Sequence, residues 1–362
     1  MAPTYDTIVA GLGIMGSSIA AELAGRGNRV LAVEARWPQH RHAASAGDSR
    51  ILRLIHPHFP HYASDAVPAL EAWHRLEATT GNHLFQPTGG LLVSRADGPV
   101  LSSFAAAAES ARIAYRLFAS TELRSRYPWL HFRQADEGFL DLNAGILLAD
   151  RCVTAYQQAA VTAGAELRFG TPVEFPEIMH SWRSSNALRI SSEKVSARHL
   201  VLAIGAWLGS APDLLRWPEV SIERTVSHWF SPGNQVPPLD ADNSPYVEWI
   251  DEQLELCLIP SLHGRVKVKT HHTGQRADPA SGPAPPTAAE EEAVKSQLEA
   301  LSGLNLRPID AASAMYTNTV GGSFQINRHP IVHDLIVVAA CSGHAFKFAP
   351  LIAARTAQLC AT

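Results

Sequence analysis

Three glycines near the start of the chain have a spacing that can hold a phosphate group. Gly11, Gly13 and Gly16 follow the short apolar run Tyr5–Ala10 and open a stretch with helical spacing. Gly11 permits a tight turn, Gly13 lets a pyrophosphate approach the backbone, and Gly16 lets the helix pack closely on the strand. The unpaired N–H groups and the positive dipole end of the helix would then face the phosphates.

An acidic residue follows the glycine turn at the distance that dinucleotide recognition requires. Glu34 ends a second apolar run, Arg29–Val33, where its carboxylate would accept hydrogen bonds from ribose hydroxyls. Strand, glycine turn, helix, strand and acid within about 30 residues form the dinucleotide fingerprint. A glycine-rich turn in an unrelated α/β unit is the alternative, and the strand and the acid weigh against it. This stretch alone does not distinguish NAD from FAD.

Basic residues at two further places could bind anions or could simply face solvent. Arg50 and Arg53 lie three residues apart after a polar loop, and composition alone favours a surface turn there. Four basic residues alternate along a predicted strand: Arg265, Lys267, Lys269 and His271. Such alternation usually marks a solvated basic face, so the residues alone favour that interpretation.

The segment His56–His61 contains three histidines, which invites a metal interpretation. Its prolines exclude a regular helix, and no carboxylate or cysteine lies beside it to complete a ligand set. We therefore predict a mobile loop there, and no metal site in the protein.

Composition and charge exclude several classes of function. The chain has 362 residues, 46% of them hydrophobic and 18% charged, as in a soluble globular enzyme with one large or two smaller domains. A net charge of −4 gives no reason to expect nucleic acid or an anionic membrane as a partner. No apolar run approaches the roughly 18 residues of a membrane span.

Cysteine usage indicates a reducing compartment. The four cysteines are scattered without C-x-x-C spacing, which argues against a zinc site and against a disulfide framework. The apolar start is not read as a signal peptide, because Asp6 interrupts it and no basic leader precedes it. We predict a cytoplasmic protein that is a monomer or a small homo-oligomer.

The order of predicted elements indicates an α/β (α+β) fold. The apolar strands His199–Ile204 and Ile336–Ala340 would join the first two strands in a parallel sheet. From Ile222 onward, short alternating strands predict an antiparallel sheet. Other predicted elements are a hairpin at Glu137–Leu148, a strand at Pro172–Phe175 and a final helix at Phe346–Cys360.

Several separated stretches resemble the flavin-binding segments of the D-amino-acid-oxidase superfamily. They are Gly11–Gly16 with Glu34, Ala203–Trp207 and Cys341–Phe348. Within that superfamily the chain is most similar to the monomeric sarcosine oxidases and N-methyl-amino-acid oxidases, whose own motifs Gly47–Arg53, Met315–Thr319 and Ser342–Phe348 match in order and spacing. The resemblance covers nearly the whole chain and turns the dinucleotide prediction into FAD.

The resemblance also implies a domain organisation. An FAD-binding Rossmann-like domain (1–85, 145–221 and 320–362) would be interleaved with an antiparallel-sheet substrate domain (86–144 and 222–319). The implied cofactor-binding residues are Gly11, Gly13, Ile14, Met15, Gly16, Glu34, Ala35, Arg36, Ser45, Ser49, Arg50, Val173, Gly205, Trp207, Ala314, Met315, Gly343, His344, Phe346 and Lys347.

The same resemblance implies roles at the reaction site. Arg53 and Lys347 would hold a substrate carboxylate, the first by bidentate contacts and the second by its charge. Lys267 would activate dioxygen beside the flavin, and Arg50 would stabilise negative charge on the reduced cofactor. Three pocket-lining residues complete the catalytic set: His271, Tyr316 and His344. An ordinary core histidine or tyrosine remains the alternative for each of these three. The loop His56–His61 falls where the family has a flap over the site.

Two departures from the family pattern bear on the cofactor and the pocket. Ala314 stands where sarcosine oxidase has the cysteine that forms a thioether to the flavin, and alanine has no nucleophile. We therefore expect non-covalent FAD; Cys341 is the alternative point of attachment, since it lies in a flavin motif. Leu256 and Cys257 replace aromatic pocket residues, so the side-chain pocket would be reshaped.

These observations predict an FAD-dependent amine oxidase. Its substrate would be a small secondary or cyclic amino acid, oxidised at the C–N bond to an imine, with O2 as acceptor and H2O2 as product. A biosynthetic imino-acid oxidase or desaturase, or a flavin dehydrogenase with another acceptor, is the alternative among enzymes. A non-catalytic flavin-binding subunit is the alternative outside them, and the retained Arg53, Lys267 and Lys347 argue against it.

Overall fold

The apolar runs at the two ends of the chain meet in one mostly parallel sheet, and the middle of the chain builds a second, larger sheet. The computed structural model describes residues 4–38, 40–41, 43–56, 58–95, 100–212, 217–232, 239–250, 255–272, 274–332 and 334–361. Pro57 of the predicted flap lies outside them. Within the described residues, no helix is both long and apolar enough to cross a bilayer.

The strands in chain order are β1 (Tyr5–Ala10), β2 (Val30–Val33), β3 (Arg50–Leu52), β4 (Phe85–Gln86), β5 (Gly90–Arg95), β6 (Tyr115–Phe118), β7 (Asp136–Asp141), β8 (Gly145–Leu147), β9 (Glu166–Arg168), β10 (Ala187–Ile190), β11 (Glu193–Leu202), β12 (Val220–Ser231), β13 (Tyr246–Ile250), β14 (Glu255–Leu262), β15 (Arg265–Thr270), β16 (Arg307–Thr319), β17 (Gln325–Arg328) and β18 (Leu335–Ala339). The helices are α1 (Ile14–Gly25), α2 (Ala63–Thr80), α3 (Val100–Ala111), α4 (Ser120–Arg126), α5 (Ala149–Thr162), α6 (Phe175–Glu177), α7 (Arg183–Ser185), α8 (Ala288–Ser302) and α9 (Ala349–Ala361). A π-helical segment, Ile178–Trp182, joins α6 to α7, and the predicted final helix begins with a 3-10 turn at Phe346–Phe348.

The first sheet has the order β17-β18-β11-β1-β2-β9, with β10 paired to β11. The inner pairs β18–β11, β11–β1 and β1–β2 are parallel, as is the outer pair β2–β9. Strands β2 and β18 are buried along their whole length, because helices cover both faces. Val9 packs into the core with α1, α5 and α9, whereas its neighbour Ile8 packs against Ile178 and Trp182.

The second sheet has the order β16-β12-β15-β14-β13-β5-β7-β6. It is antiparallel except for the pair β13–β5, which is parallel. On β15, Val266 and Val268 pack against Val294 and Leu298 of α8. Side chains alternate along a strand, so Lys267 lies on the opposite face, away from α8.

The predicted hairpin at Glu137–Leu148 is wrong. Its two strands do not pair: β7 joins the second sheet, while β8 pairs with β3 and β4 in a third, small sheet. The buried carboxylate of Asp141 sits at the corner and accepts hydrogen bonds from the N–H groups of Asn143 (3.0 Å) and Leu54 (2.8 Å). The chain therefore passes from the second sheet to the third after β7, where the sequence pattern predicts that it turns back and pairs with β7.

The predicted strand at Pro172–Phe175 is also wrong. Strand β9 ends at Arg168, and the chain then runs past the edge of the sheet, with Thr171 N–H donating to the carbonyl of Glu34 at 2.8 Å. Pro172 has no N–H to give to a ladder, and the next regular element is the helical turn that starts at Phe175.

The strands of the first sheet all fall within the three segments predicted for the FAD-binding domain. The second sheet uses 90–95, 115–118 and 136–141 together with strands from Val220 to Thr319. The division into two domains stays a prediction, and this sheet membership is compatible with it.

Candidate active site

The glycine turn brings three pieces of backbone too close together for side chains. Gly11 has φ +96°, and a Cβ there would lie 2.5 Å from the carbonyl oxygen of Ala203. A Cβ on Gly16 would lie 1.7 Å from the carbonyl oxygen of Gly11, because α1 packs directly against the turn. Because Gly16 has no side chain, α1 can pack directly against the turn. Gly16 is not among the residues that line the two cavities described below.

The N-terminus of α1 is open toward a cavity of about 330 Å³. The N-cap residue Gly13 has no side chain to cap this helix, and the first helical N–H, that of Ile14, donates to Ser45 Oγ at 3.1 Å. The predicted cofactor residues that line this cavity are Gly11, Gly13, Ile14, Met15, Glu34, Ala35, Arg36, Ser45, Val173, Gly205, Trp207 and Phe346. We call it the nucleotide cavity, because a glycine cradle and an open helix N-terminus fit the pyrophosphate of FAD.

Glu34 lies at the edge of this cavity with part of its hydrogen-bonding capacity already used. Its carboxylate accepts the N–H groups of Leu12 (2.9 Å) and Arg36 (3.1 Å), and His40 Nε2 lies 3.5 Å away. Burial by itself would raise the pKa of Glu34, but these three contacts lower it below its ordinary value. The group is therefore an ionised acceptor held in a fixed orientation.

A second cavity, of about 390 Å³, adjoins the first, and we call it the substrate cavity. The two share lining residues at Ala43, Ala44, Cys341, Ala345 and Phe346. Apart from Gly16, the remaining predicted site residues line the substrate cavity: Ser49, Arg50, Arg53, Lys267, His271, Ala314, Met315, Tyr316, Gly343, His344 and Lys347. Residues far apart in sequence thus meet in one space beside the nucleotide cavity.

Lys267 is buried rather than solvated, with 5% of its surface exposed. Its Nζ donates to the Ser49 carbonyl at 3.1 Å, lies 3.7 Å from Asp48 Oδ1 and sits over the Trp229 ring at 5.3 Å. Burial and nearby Arg50 lower the pKa of Lys267 to about 8, although the Asp48 carboxylate acts in the opposite direction. The solvated-face interpretation of this strand is therefore wrong for Lys267.

Asp48 is a residue that sequence reasoning did not single out. Its Oδ2 accepts the Trp229 indole N–H at 2.8 Å, and its Oδ1 accepts the Ser49 hydroxyl at 3.0 Å. Burial would raise the pKa of Asp48, but Lys267 and the two hydrogen bonds lower it. It lies in the Gly47–Arg53 motif, yet its partner Lys267 is more than 200 residues away, so spacing alone could not reveal the pair.

Arg50 is held by backbone carbonyls instead of by a carboxylate. Its Nη1 donates to the Ser49 carbonyl at 2.6 Å, and its Nη2 donates to the carbonyls of Ala44 and Ala46 at 2.7 Å each. The guanidinium also lies 5.7 Å from the centre of the Phe346 ring. Carbonyl oxygens orient this cation without neutralising it, so its full charge faces the substrate cavity.

Of the three predicted pocket-lining residues, Tyr316 and His271 form a pair and His344 contacts the backbone. Tyr316 Oη lies 3.1 Å from His271 Nδ1, and the two rings stack. His344 Nε2 donates to the Gly322 carbonyl at 2.9 Å, and its Nδ1 has no hydrogen-bond partner among the described residues. Burial, with Lys347 nearby, lowers the pKa of His344 to about 3, so this imidazole is neutral at pH 7.

The predicted flap packs onto His344. The Phe59 ring stacks on the His344 imidazole at 4.8 Å, and the buried His56 ring meets it edge-on at the same distance. A Cβ on Gly322 would lie 2.3 Å from the Phe59 ring, so this corner is tightly filled. The segment ends in a 3-10 turn at Pro60–Tyr62.

The two residues predicted to bind the substrate carboxylate, Arg53 and Lys347, are both buried, and Arg53 is already paired with an acid of the protein. Lys347 Nζ donates to the His344 carbonyl at 2.9 Å, and burial together with Arg53 lowers the pKa of Lys347 well below its ordinary value. Arg53 Nη1 donates to both carboxylate oxygens of Glu248, at 2.5 and 2.6 Å. Glu248 was not predicted as a site residue. It is the one acid in the otherwise apolar strand β13, and such a residue usually indicates a strand edge or a loop.

Leu256 and Cys257, the two residues that replace aromatic pocket residues of the family, lie in different places in the structure. Cys257 lines the substrate cavity, whereas Leu256 points into the core beside α8. Lys269, which was not predicted either, lines the cavity with its Nζ 4.4 Å from the Tyr316 ring. Burial lowers the pKa of Lys269 well below its ordinary value, with Arg50 and Lys267 adding to the effect.

Ala314 lies on β16 opposite Thr225 and lines the substrate cavity, while Cys341 lines both cavities. All four cysteines are free thiols.

Comparison with known proteins finds similarity over nearly the whole chain. Residues 6–359 match the family described as FAD dependent oxidoreductase. The monomeric sarcosine oxidase of Streptomyces avermitilis is 32% identical over 370 residues, which cover 100% of this chain and 95% of that protein. The N-methyl-L-tryptophan oxidase of Salmonella heidelberg is 22% identical, covering 96% and 92% of the two chains.

Two solved structures share the fold. NikD, an amino acid oxidase of nikkomycin biosynthesis, superposes with a TM-score of 0.81 at 19% identity, covering 98% of this chain and 93% of its own. The L-proline dehydrogenase of P. horikoshii superposes with a TM-score of 0.84 at 19% identity, covering 99% and 94%. At this identity the likeness concerns architecture alone.

Proposed function

Because the chain belongs to the FAD-dependent oxidoreductase family, we propose that it oxidises the C–N bond of a small secondary or cyclic amino acid to an imine. The observation that carries the proposal is the meeting of Arg53, Lys347 and Lys267 in one cavity that adjoins the glycine cradle. When bound, FAD would supply the hydride acceptor: the carbon attached to the amine nitrogen would lose a hydride to it, the nitrogen would lose a proton as the C–N bond becomes C=N, and reoxidation by O2 would give H2O2.

Substrate binding falls to the buried cations of the substrate cavity. A guanidinium and an ammonium can hold one carboxylate from two sides and so fix the position of the neighbouring C–N bond. The neutral His344 adds an unprotonated nitrogen to the cavity wall and does not repel a positively charged amine. Burial makes each of these contacts stronger than it would be in water.

Lys267 supplies a fixed positive charge for the oxygen half of the reaction. Negative charge develops on O2 as electrons reach it, and a preorganised cation in a buried site stabilises that charge. Contacts to the Ser49 carbonyl and the Asp48 carboxylate hold the ammonium in place. With its pKa lowered to about 8, Lys267 is mostly protonated at neutral pH.

The retention of FAD is proposed to be non-covalent. Ala314 has no atom that could bond to the flavin, and the glycine turn with Glu34 provides backbone and charge contacts for the other end of the cofactor. The four free thiols support placing the protein in a reducing cytoplasm. A monomeric or small homo-oligomeric state stays a prediction.

The decisive experiment measures the two half-reactions separately in Lys267→Met. Reoxidation of the reduced enzyme by O2 should slow by about a hundredfold or more, because the only change at the site is loss of the positioned cation. Anaerobic reduction by an N-methyl amino acid should change far less. Both rates come from stopped-flow recording of flavin absorbance.

The matched control is Lys269→Met, which removes the next lysine on the same face of β15. Reoxidation should fall less in this variant than in Lys267→Met. Equal losses in both half-reactions of Lys267→Met would remove the assigned role. Reduction of the flavin without peroxide release in the wild type would identify a dehydrogenase that uses another acceptor.

A further inference from the structure

The arginine expected to bind the substrate carboxylate already holds a carboxylate of the protein. Arg53 Nη1 contacts both oxygens of Glu248, while Nη2 lies 2.9 Å from His56 Nε2. Arg53 is 5% exposed and Glu248 is fully buried. An amino-acid substrate therefore meets a pre-formed ion pair in place of a vacant cation.

A second acid reinforces the negative side of this pair. Carboxylate oxygens of Glu248 and Glu255 and a ring nitrogen of His271 all lie within 4.8 Å of one another. The Glu255 carboxylate also lies 3.2 Å from His58 Nε2. Its burial would raise its pKa, but His58, His271 and Arg53 lower the pKa of Glu255 to about 2, so it is ionised at pH 7.

Other carboxylates along the substrate cavity have their own partners elsewhere. Asp48 lies beside Lys267, Asp150 accepts the Gly47 N–H at 3.0 Å, and Asp310 pairs with Arg265 at 3.3 Å. Glu248 is thus the acid tied to the expected substrate-binding group. The negative charge of Glu248 therefore acts on Arg53 directly and does not belong to the other ion pairs of the cavity.

Displacing Glu248 from Arg53 has a large cost unless the displaced acid finds another cation. Breaking a buried ion pair leaves one charge uncompensated, which is strongly unfavourable. An amino acid with a neutral side chain brings a carboxylate for Arg53, but its amine belongs to the reacting C–N bond, so no second cation remains for Glu248. A basic amino acid brings both charges, so the two buried groups can exchange partners without either losing one.

We propose that Glu248 is a specificity-determining residue that selects N-alkyl or cyclic amino acids with a second, cationic group on the side chain. The substrate carboxylate takes Arg53, and the side-chain cation takes Glu248 with Glu255 beside it. This inference rests on the proposed oxidation at this site and names the substrate class for it. No covalent step beyond that oxidation is involved.

The test compares two substrates of nearly equal shape and different charge. Nα-methyl-lysine carries the side-chain cation, and Nα-methyl-norleucine places a methyl group in the corresponding region. The FAD-loaded wild type should show a kcat/KM about tenfold to a hundredfold higher for the first, the range expected for one buried charged contact. Peroxide release gives the steady-state rates, and anaerobic flavin bleaching gives substrate reduction independently of O2.

Removing the charge of Glu248 should remove the preference. In Glu248→Gln, the ratio of the two kcat/KM values should fall toward one, largely through a higher KM for Nα-methyl-lysine. Asp310→Asn is the matched control: it deletes a cavity carboxylate that pairs with Arg265, and the wild-type ratio should persist. Flavin absorbance and thermal unfolding report whether each variant is folded and loaded, and Glu248→Met replaces Glu248→Gln if the amide variant loses FAD.

The outcomes separate the inference from the proposed function. A wild type that oxidises Nα-methyl-norleucine or sarcosine better than Nα-methyl-lysine overturns the inference and leaves the oxidase function standing. Equal efficiency with N-methylcadaverine, which lacks a carboxylate, overturns the partner exchange at Arg53. If no amine reduces the flavin, the proposed function itself fails.

Discussion

The two adjoining cavities are built by different physical means. The nucleotide cavity is shaped mainly by backbone: a glycine turn, an open helix N-terminus and a carboxylate fixed by two N–H groups. The substrate cavity is lined by charged side chains from distant segments, and some of them are held by an acid from another segment. Arg53 with Glu248 and Lys267 with Asp48 are the two main examples.

This difference predicts different responses to mutation. A backbone-built cavity fails when atoms are added, because the turn and the helix have no room to move. A charge-built cavity keeps its shape when one side chain changes, but its affinities and pKa values shift. Sterics should therefore dominate the effects in the first region and electrostatics those in the second.

The largest effect is expected for Gly16→Ala. The added Cβ would lie 1.7 Å from the Gly11 carbonyl oxygen, so α1 must move away from the turn. We expect loss of bound FAD and destabilisation by about 3 kcal/mol, the upper end of the usual cost of overpacking. The flavin-to-protein absorbance ratio and thermal unfolding measure the two effects.

Gly25→Ala is the control for that variant, because it adds the same methyl group near the end of α1 with nothing within 4 Å of it. It should retain FAD and match the wild type in stability or exceed it. Normal flavin content in Gly16→Ala would show that the turn tolerates an added methyl group. The expectation that steric effects dominate in the nucleotide cavity would then be wrong.

The next effect concerns how FAD is held. Because Ala314 offers no nucleophile, acid denaturation of the wild type should release essentially all of the flavin into solution. Filtration after precipitation, followed by absorbance of the filtrate, measures the released fraction. Retention of the cofactor in the nucleotide cavity would then depend on non-covalent contacts alone.

Yellow colour that stays with the precipitated polypeptide would contradict this prediction. Loss of that colour in Cys341→Ser would then assign the attachment to the thiol that lines both cavities.

The smallest effect is a pH dependence that arises in the substrate cavity. A lysine with a pKa lowered to about 8 is protonated below that pH and neutral above it. Reoxidation by O2 should therefore slow as pH rises, by roughly tenfold between about pH 7 and about pH 9. Stopped-flow reoxidation of the reduced enzyme across this range gives the midpoint.

Asp48→Asn sharpens the same prediction. The Asp48 carboxylate raises the pKa of Lys267, so its neutralisation should move the midpoint to lower pH by about one unit. A midpoint near pH 10, or one that does not respond to Asp48, would disconnect the profile from Lys267.

Patterning predicted much of the fold where contacts are local or strands are buried on both faces. The two strands around the glycine turn and strand β18 lie close to their predicted bounds. The hairpin at Glu137–Leu148 failed because Asp141 ends β7 at a corner between two sheets. Local alternation says that two strands are close in sequence, but it does not say which sheet each one joins.

The residues of the substrate cavity show the same limit. Alternation along β15 indicated that Arg265, Lys267, Lys269 and His271 share a face, and it suggested a solvated one. Val266 and Val268 pack against α8 on one face of β15. The opposite face is also covered by the protein, so Lys267 is buried there. Glu248 could not be selected from sequence, since its importance comes from a partner 195 residues away.

The sequence by itself determined the strand–turn–helix–strand unit, because Gly11, Gly16 and Glu34 lie in one segment and Gly16 meets Gly11 within it, although Gly11 also meets Ala203 from a distant segment. Only the tertiary structure decided which charges face one another. It paired Arg53 with Glu248 and placed Asp48 beside Lys267. Such pairs depend on distances between remote segments and on burial, and neither quantity is encoded in the spacing of residues along the chain.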